Sequence, residues 1–265
     1  MEARSTSEAV SAGHHESLRQ LVAHKLAIDW SPQQISAWLE LAYADDETMR
    51  VSHETIYKSL FIQARGVLKR ELITHLRRGH RVRRARGGWN QGRIVDLVSI
   101  RERPAQVEDR AVPGHWEGDL LCGSGRSAIA TLVERQSRFV MLVRVRERET
   151  AKVVRALTKH VHRLPVQLRR SLTWDRGFEL AAHKAFTLAT DMKVYFCDPS
   201  SPWQRGSNEN TNGLPRQYFP KRTDLAGYSQ QQLNKVATRL NQRPRSTLGF
   251  RTPAAKFSES VASTS

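Results

Sequence analysis

Apolar residues recur at helical spacing in the first part of the chain. In "LRQLVAHKLAIDW", Leu18, Leu21, Val22 and Leu26 share one stripe at offsets of 3, 4 and 8 residues. "SPQQISAWL" predicts a second helix, with Ser31 as N-cap, Pro32 at the first helical position and Gln34 placed to complete a capping box. "VSHETIYKSLF" predicts a third, capped by Ser52, with Ile56 and Leu60 as its buried stripe. Three short helices, the last two joined by "ELAYADDETMR", fit a helix-turn-helix variant and a plain helical bundle equally well.

From about residue 112 the spacing becomes that of strands. "HWEGDLL", "AIATLV" and "RFVMLVRV" are apolar or β-branched runs separated by "CGSGRS" and "ERQS", turns short enough for an antiparallel meander. "ERETAKVVRALTKHVHRL" predicts an amphipathic helix with Val153, Val154, Leu157 and Val161 in its stripe. "SLTW" reads as a strand, "FELAAHKAFTLAT" as a helix, "KVYFC" as a strand and "GSNENTNGL" as a helix start. A last helix, "SQQQLNKVATRL", begins at Ser229 with Gln232 completing its capping box. Three strands followed by alternating strand and helix predict a mixed α/β fold, a sheet covered by helices. The expected organisation is a disordered stretch over 1–16, a helical, helix-turn-helix-like region over 17–65 and a linker over 66–111. A core over 112–257 and a disordered tail over 258–265 complete it.

Charge sharpens this picture. The 43 Lys and Arg against 26 acids give a net +17, which attracts polyanions, above all a nucleic-acid backbone, with an anionic membrane surface as the competitor. No run of apolar residues is long enough to span a bilayer, and the polar N-terminus lacks a secretory apolar region. Cys122 and Cys197 stand far apart, so neither a zinc site nor a disulfide framework is indicated. The expected location is the cytoplasm, in association with the nucleoid through DNA. Residues 65–93 hold ten Lys or Arg and one acid, Glu71, and the core of that run, "RRGHRVRRARGGWNQGR", has almost no apolar periodicity. That stretch reads as a basic arm, either a solvated tether or a segment in which Arg77, Arg78, Arg81, Arg83, Arg84 and Arg86 lie along phosphates. The charge tilts the N-terminal helices toward DNA contact.

Three acids stand out against this basic background. Asp119 falls within the first strand of the meander, Asp175 at the end of "SLTW", and Glu209 in the first turn of the helix after "SSPWQRG". Singly, each has a local reading: a strand-end polar group, a turn residue bonded to its own backbone, and a favourable charge at a helix N-terminus. If the two strands adjoin, Asp119 and Asp175 face one another, and a helix packed across that edge brings in Glu209. Clustered carboxylates repel one another unless a cation binds, and hard oxygen donors select Mg²⁺ or Mn²⁺. Two such ions would serve displacement at a phosphodiester.

The blocks "PGHWEGDL", "TLVERQSRF", "LTWDRG", "VYFCDPSSPWQRGSNENTNGL" and "LNQRPRSTLGFRTPAAKF" resemble the insertion-sequence thirty family of bacterial transposases, over nearly all of residues 17–257. The resemblance implies a ribonuclease H-like integrase core with an Asp-Asp-Glu triad. It maps the triad onto Asp119, Asp175 and Glu209, with 55 and then 33 residues between them. It further implies two divalent ions, double-stranded DNA as partner (inverted-repeat ends and target), a homo-oligomer and no membrane. Cleavage at the element's ends would be followed by strand transfer.

Neighbouring residues take lesser roles. Glu117, on the same strand face as Asp119, is an alternative first ligand. Arg176 either approaches phosphate or pairs with an acid, and Trp203 either stacks on a base or anchors a loop. Gln204, Arg205 and Asn208 are candidates for positioning the DNA strand, and Asn210 and Asn212 for polar contacts on the helix surface. His115 is placed to shape the site, while Trp116 and Cys197 read as core. Three departures from the family pattern remain. The chain reads as a form shortened ahead of its first helix, Phe178 replaces a residue that is often lysine, and Pro215 is expected to end the helix of Glu209 early. The alternatives are therefore a catalytically impaired DNA-binding remnant or regulator, and a metal nuclease acting on hybrids.

Overall fold

The computed structural model describes residues 16–62, 94–104, 111–199, 201, 204, 211 and 213–263, with the backbone alone for 60–62. The chain divides into two compact units: Met1–Arg84 with Arg243–Arg251, and Ala85–Gln242 with Thr252–Ser265.

In the first unit, α1 (16–27), α2 (Pro32–Ala42) and α3 (His53–Ile62) form the three expected helices. α1 ends at Asp29, which adopts the left-handed conformation (φ 66°) while Trp30 N–H bonds back to the Lys25 carbonyl. α2 starts as its pattern predicts: Ser31 Oγ accepts from Gln34 N at 3.2 Å and Gln34 Oε1 accepts from Ser31 N at 2.9 Å. Ser52 caps α3 by accepting from Thr55 N at 3.1 Å. The core holds Leu18, Leu26, Trp30, Ile35, Leu39, Met49 and Ile56. Between Ser52 and Ser59 only Ile56 is buried, so α3 leaves most of its surface to solvent. Arg243–Arg251, which composition placed in the α/β core, clusters with these helices instead. It is a reversed segment closed by an antiparallel bridge between Arg245 and Arg251, with Gly249 and Phe250 both at φ 59°.

The second unit is built on β1 (His115–Cys122), β2 (Ala128–Glu134), β3 (Val140–Val145), β4 (Ser171–Trp174) and β5 (Lys193–Phe196). The strand order is β3-β2-β1-β4-β5. β1, β2 and β3 pair antiparallel as a meander, and β4 and β5 add in parallel. The parallel additions need crossovers, supplied by α4 (Thr150–Val161) before β4 and α5 (His183–Thr190) before β5. This is the mixed sheet of the ribonuclease H-like fold. All four stripe residues of α4 are buried, packing with Phe186 against Trp116, Leu120, Leu172 and Trp174. On the other face, α6 (Pro215–Tyr218) leads to Phe219, which packs with Leu233 and Ala237 of α7 (Gln230–Asn241) on Leu121, Ile129 and Leu142. Ser229 and Gln232 cap α7 as predicted.

Three boundaries differ from the sequence pattern. The helix expected from Phe178 begins at His183, because Leu180 N–H closes a tight 3₁₀ turn on the Gly177 carbonyl. Residues 94–104, expected in the linker, belong to the core: Ile94 and Ile100 are buried, and Phe196 N–H bonds to the Val98 carbonyl at 2.9 Å beside β5. Residues 258–262, expected in a disordered tail, form the end of α8 (Pro253–Ala262). There Phe257 stacks on Phe139 with centroids 4.2 Å apart, and Ser260 Oγ donates to Gln136 Oε1 at 3.0 Å.

Strand β3 lies at one edge, and side chains of α7 complete its ladder. Asn241 accepts from Val140 N at 2.8 Å and donates to Val140 O at 2.9 Å. Gln230 accepts from Arg144 N at 2.8 Å and donates to Leu142 O at 2.7 Å. Among the described residues, no helix is long and apolar enough to cross a membrane.

Candidate active site

The parallel register of β1 and β4 pairs His115 with Ser171, Trp116 with Leu172 and Glu117 with Thr173. Continued by two residues, that register sets Asp119 level with Asp175 where both chains run toward the carboxyl end of the sheet. Gly118 permits the packing behind them. A Cβ there would lie 2.2 Å from Trp174 Cζ3, in space that the wholly buried indole occupies. Asp119 Oδ1 accepts from Leu120 N at 2.8 Å, and Asp175 Oδ1 accepts from Gly177 N at 3.0 Å in the turn that ends β4.

A third carboxylate joins them. Glu179, on the 3₁₀ turn, folds back over Gly177, where an added Cβ would meet its Cδ and both carboxylate oxygens at 2.3 Å. Its pKa is raised, first by burial and then by the negative charge of Asp175, with Asp119 contributing. Sequence reading missed Glu179. The available signal was the Asp-x-Gly-x-Glu spacing, in which a glycine leaves room for the acid two residues on. Among the described residues, no three His, Cys, Asp or Glu groups are gathered tightly enough to hold a metal ion. The expected third ligand, Glu209, lies outside the described residues, as do Trp203, Arg205, Asn208, Asn210 and Asn212. So do the arm arginines Arg77, Arg78, Arg81, Arg83, Arg84 and Arg86.

The other candidates have definite positions. Glu117 is buried and its Oε1 accepts from Arg135 Nε at 2.9 Å, so its charge serves an internal ion pair. His115 sits at the amino end of the β1–β4 pair, away from the carboxylates, with Nδ1 2.7 Å from Ser171 Oγ. Burial first, then Arg170, Arg135 and Arg103, push its pKa down to about 4, which leaves it neutral at pH 7. Trp116 is core, as expected, and donates from Nε1 to the Leu168 carbonyl at 2.9 Å. Cys197 is buried and its carbonyl accepts from Arg176 Nε at 3.0 Å. Gln204 is engaged at both ends by Asp198: it accepts from Asp198 N at 2.7 Å and donates to Asp198 Oδ2 at 3.0 Å. Pro215 occupies the first helical position of α6, where its missing N–H costs nothing. The Phe178 carbonyl accepts from Thr150 Oγ1 at 2.6 Å, anchoring the turn to the start of α4.

This mixed sheet carries one carboxylate, Asp119, within β1 and another, Asp175, just beyond the end of the adjacent parallel strand β4. A family model described as "Integrase core domain" matches residues 109–202, a span that contains Asp119 and Asp175. The chain is 51% identical over 252 residues to "Transposase InsI for insertion sequence element IS30A" of Escherichia coli, covering 93% of this chain and 66% of that protein. It is 49% identical over 245 residues to "Transposase for insertion sequence element IS1086" of Cupriavidus metallidurans, covering 91% and 72%. A third relative, "Transposase for insertion sequence element IS4351" of Bacteroides fragilis, is 34% identical over 247 residues, covering 92% and 74%. The chain therefore belongs to the IS30 family of insertion-sequence transposases. It spans 66% of the length of the Escherichia coli relative.

Proposed function

We propose that this protein is a transposase that cleaves DNA at the inverted-repeat ends of a bacterial insertion sequence and joins the freed ends to target DNA. The observation that supports this reading is the parallel β1–β4 pairing, whose register, continued by two residues, brings Asp119 of β1 level with Asp175 just after β4 in a chain that matches an integrase core. Asp119, Asp175 and Glu209 would hold divalent cations, Mg²⁺ or Mn²⁺ and two in number. An all-oxygen donor set at the pair suits those ions, and Glu179, whose pKa is raised by burial first and then by Asp175, adds a third carboxyl nearby. When bound, such ions supply Lewis acidity and lower the cost of forming an attacking oxygen.

The chain's own part is to position. The Leu120 and Gly177 amides fix the two aspartates, and the Trp174–Gly118 contact fixes the spacing of their strands. In the first displacement a water oxygen attacks the phosphorus at the element's end, breaking the bond to the 3′ oxygen and leaving a 3′-hydroxyl. In the second that hydroxyl attacks a target phosphorus and expels the target strand's own 3′ oxygen, so one bond is made for each bond broken and no ATP is consumed. DNA is held by the N-terminal helices and by the basic surface, Arg176, Gln204, Trp203, Arg205, Asn208 and the arm arginines among the candidates. Bringing two ends together calls for a homo-oligomer.

The test is strand cleavage of a duplex carrying the element's own repeat end, with Mg²⁺, for the natural chain and Asp175→Asn. Metal-dependent nicking at the repeat boundary is expected, reduced by roughly three orders of magnitude or more in the variant. Specific binding without nicking would replace this reading with that of a DNA-binding remnant.

A further inference from the structure

The "NQRPRSTLGFRTP" block lies far along the chain from the N-terminal helices, yet its Arg243 and Pro244 are bound to the corner between α1 and α2. One buried and one part-buried contact make that bond. Arg243, 2% exposed, places Nη2 3.2 Å from Asp29 Oδ2. Gln34 Nε2 donates to the Pro244 carbonyl at 2.8 Å, while the Oε1 of the same side chain accepts from Ser31 N to cap α2. One glutamine thus starts the helix and holds the distant segment.

Asp29 makes the arrangement more than incidental. It stands at the left-handed position that ends α1 (φ 66°), where glycine is the least strained residue and a side chain costs energy. Its carboxylate gives that side chain a purpose, as counter-charge to the buried Arg243 guanidinium. The segment is itself a preformed shape, closed by the Arg245–Arg251 bridge and reversed by two successive left-handed residues. Its far end is covalently tied to α8 through Thr252, the N-cap of that helix. The corner it grips sets the direction of α2, and through α2 that of α3, whose outer face is largely exposed.

We infer that the DNA-reading unit is composite, with Arg243 and Gln34 as positioning residues through which the Arg243–Arg251 segment sets the α1–α2 corner for sequence-specific duplex binding. The inference rests on the reading that the N-terminal helices bind DNA. A breach of the contacts should therefore cost discrimination between sequences more than it costs attraction to any duplex, since phosphate contacts are sequence-blind.

The experiment uses the full chain. A duplex is first selected by the natural protein from a randomised pool, and its affinity is compared with that of a scrambled duplex by fluorescence anisotropy. Gln34→Glu is the mild variant: it keeps the acceptor that caps α2 and replaces the donor facing Pro244 by an oxygen. It is expected to weaken the selected duplex about 3–10-fold and the scrambled one less than about 2-fold. Arg243→Met and Asp29→Asn are the severe variants, each expected to weaken the selected duplex by about 10-fold or more, with the double variant little worse than either single one. Arg243→Lys should recover part of the loss.

Selected-duplex affinity unchanged in Gln34→Glu and Arg243→Met would overturn the inference and leave the DNA-binding reading intact. Equal losses on both duplexes with lost helical circular dichroism would assign the contacts to folding alone and also overturn it. A natural chain that selects no duplex would remove the underlying reading, and the inference with it.

Discussion

The two ends of the β1–β4 ribbon treat charge in opposite ways. At the amino end, Glu117 is neutralised by Arg135, the His115 imidazole bonds Ser171, and Glu134 accepts from Gly114 N at 3.2 Å and from Ser137 N and Oγ, each at 2.6 Å. Cations and dipoles there balance the acids, and burial, helped by the arginines beside it, lowers the pKa of His115. At the carboxyl end, Asp119 and Asp175 are oriented by main-chain amides, and Glu179 has its pKa raised by burial first and then by their proximity. Glu117 and Asp119 are two residues apart on one strand face, so residue type does not separate their roles. What separates them is their surroundings: Glu117 lies against an arginine inside the sheet, whereas Asp119 lies near two other acids, Asp175 and Glu179.

The largest effect expected within this comparison is at the balanced end. Glu117→Gln should lower stability by about 3–5 kcal/mol in urea denaturation, because the buried Arg135 keeps its charge and loses the carboxylate facing it. Pairing it with Arg135→Met should restore much of the loss, and an additive double variant would mean that the two groups do not act as a pair. At the other end, Glu179→Gln should do the reverse. Cleavage is expected to fall about 10–100-fold as the acid beside the aspartates is lost. Thermal stability at pH 7 should rise by about 2 °C as the repulsion goes. Unchanged cleavage would remove Glu179 from the site.

Between the two ends, Gly118→Ala should cost about 1–3 kcal/mol, since the new methyl group meets the Trp174 ring. An unaffected midpoint would show that the ring moves aside freely. The smallest effect is a pH dependence. His115 has a folded pKa of about 4 against an ordinary 6.5, so the unfolded chain takes up the proton first. Its contribution is full above pH 6.5 and is lost as pH falls toward 4. The melting temperature should decline over that window, less steeply in His115→Gln.

Much of the fold was legible because its determinants are local. The Ser31–Gln34 and Ser229–Gln232 capping boxes and the Val153–Val161 stripe each lie within one stretch of chain, and each forms as read. The meander was legible because its turns are short. Position of the two aspartates was legible once their strands were taken as neighbours. What escaped depends on partners far away in sequence. Residues 94–104 look like linker until Val98 meets Phe196, and α8 looks like tail until Phe257 meets Phe139. Arg243 shows its role only beside Asp29. Glu179 escaped for a different reason: an acid two residues after a glycine reads as an ordinary turn until the side chain is seen to fill the glycine's missing volume.

The amide side chains of Asn241 and Gln230 have a consequence for how the sheet ends. An open outer strand offers donors and acceptors to any second sheet, a template for irreversible stacking. By taking up the free backbone groups of Val140, Leu142 and Arg144, helix α7 closes that template on one side. On the other, Val98 occupies the amide of Phe196. Both outer strands of the sheet thus have backbone groups already taken up, which disfavours pairing with a second sheet.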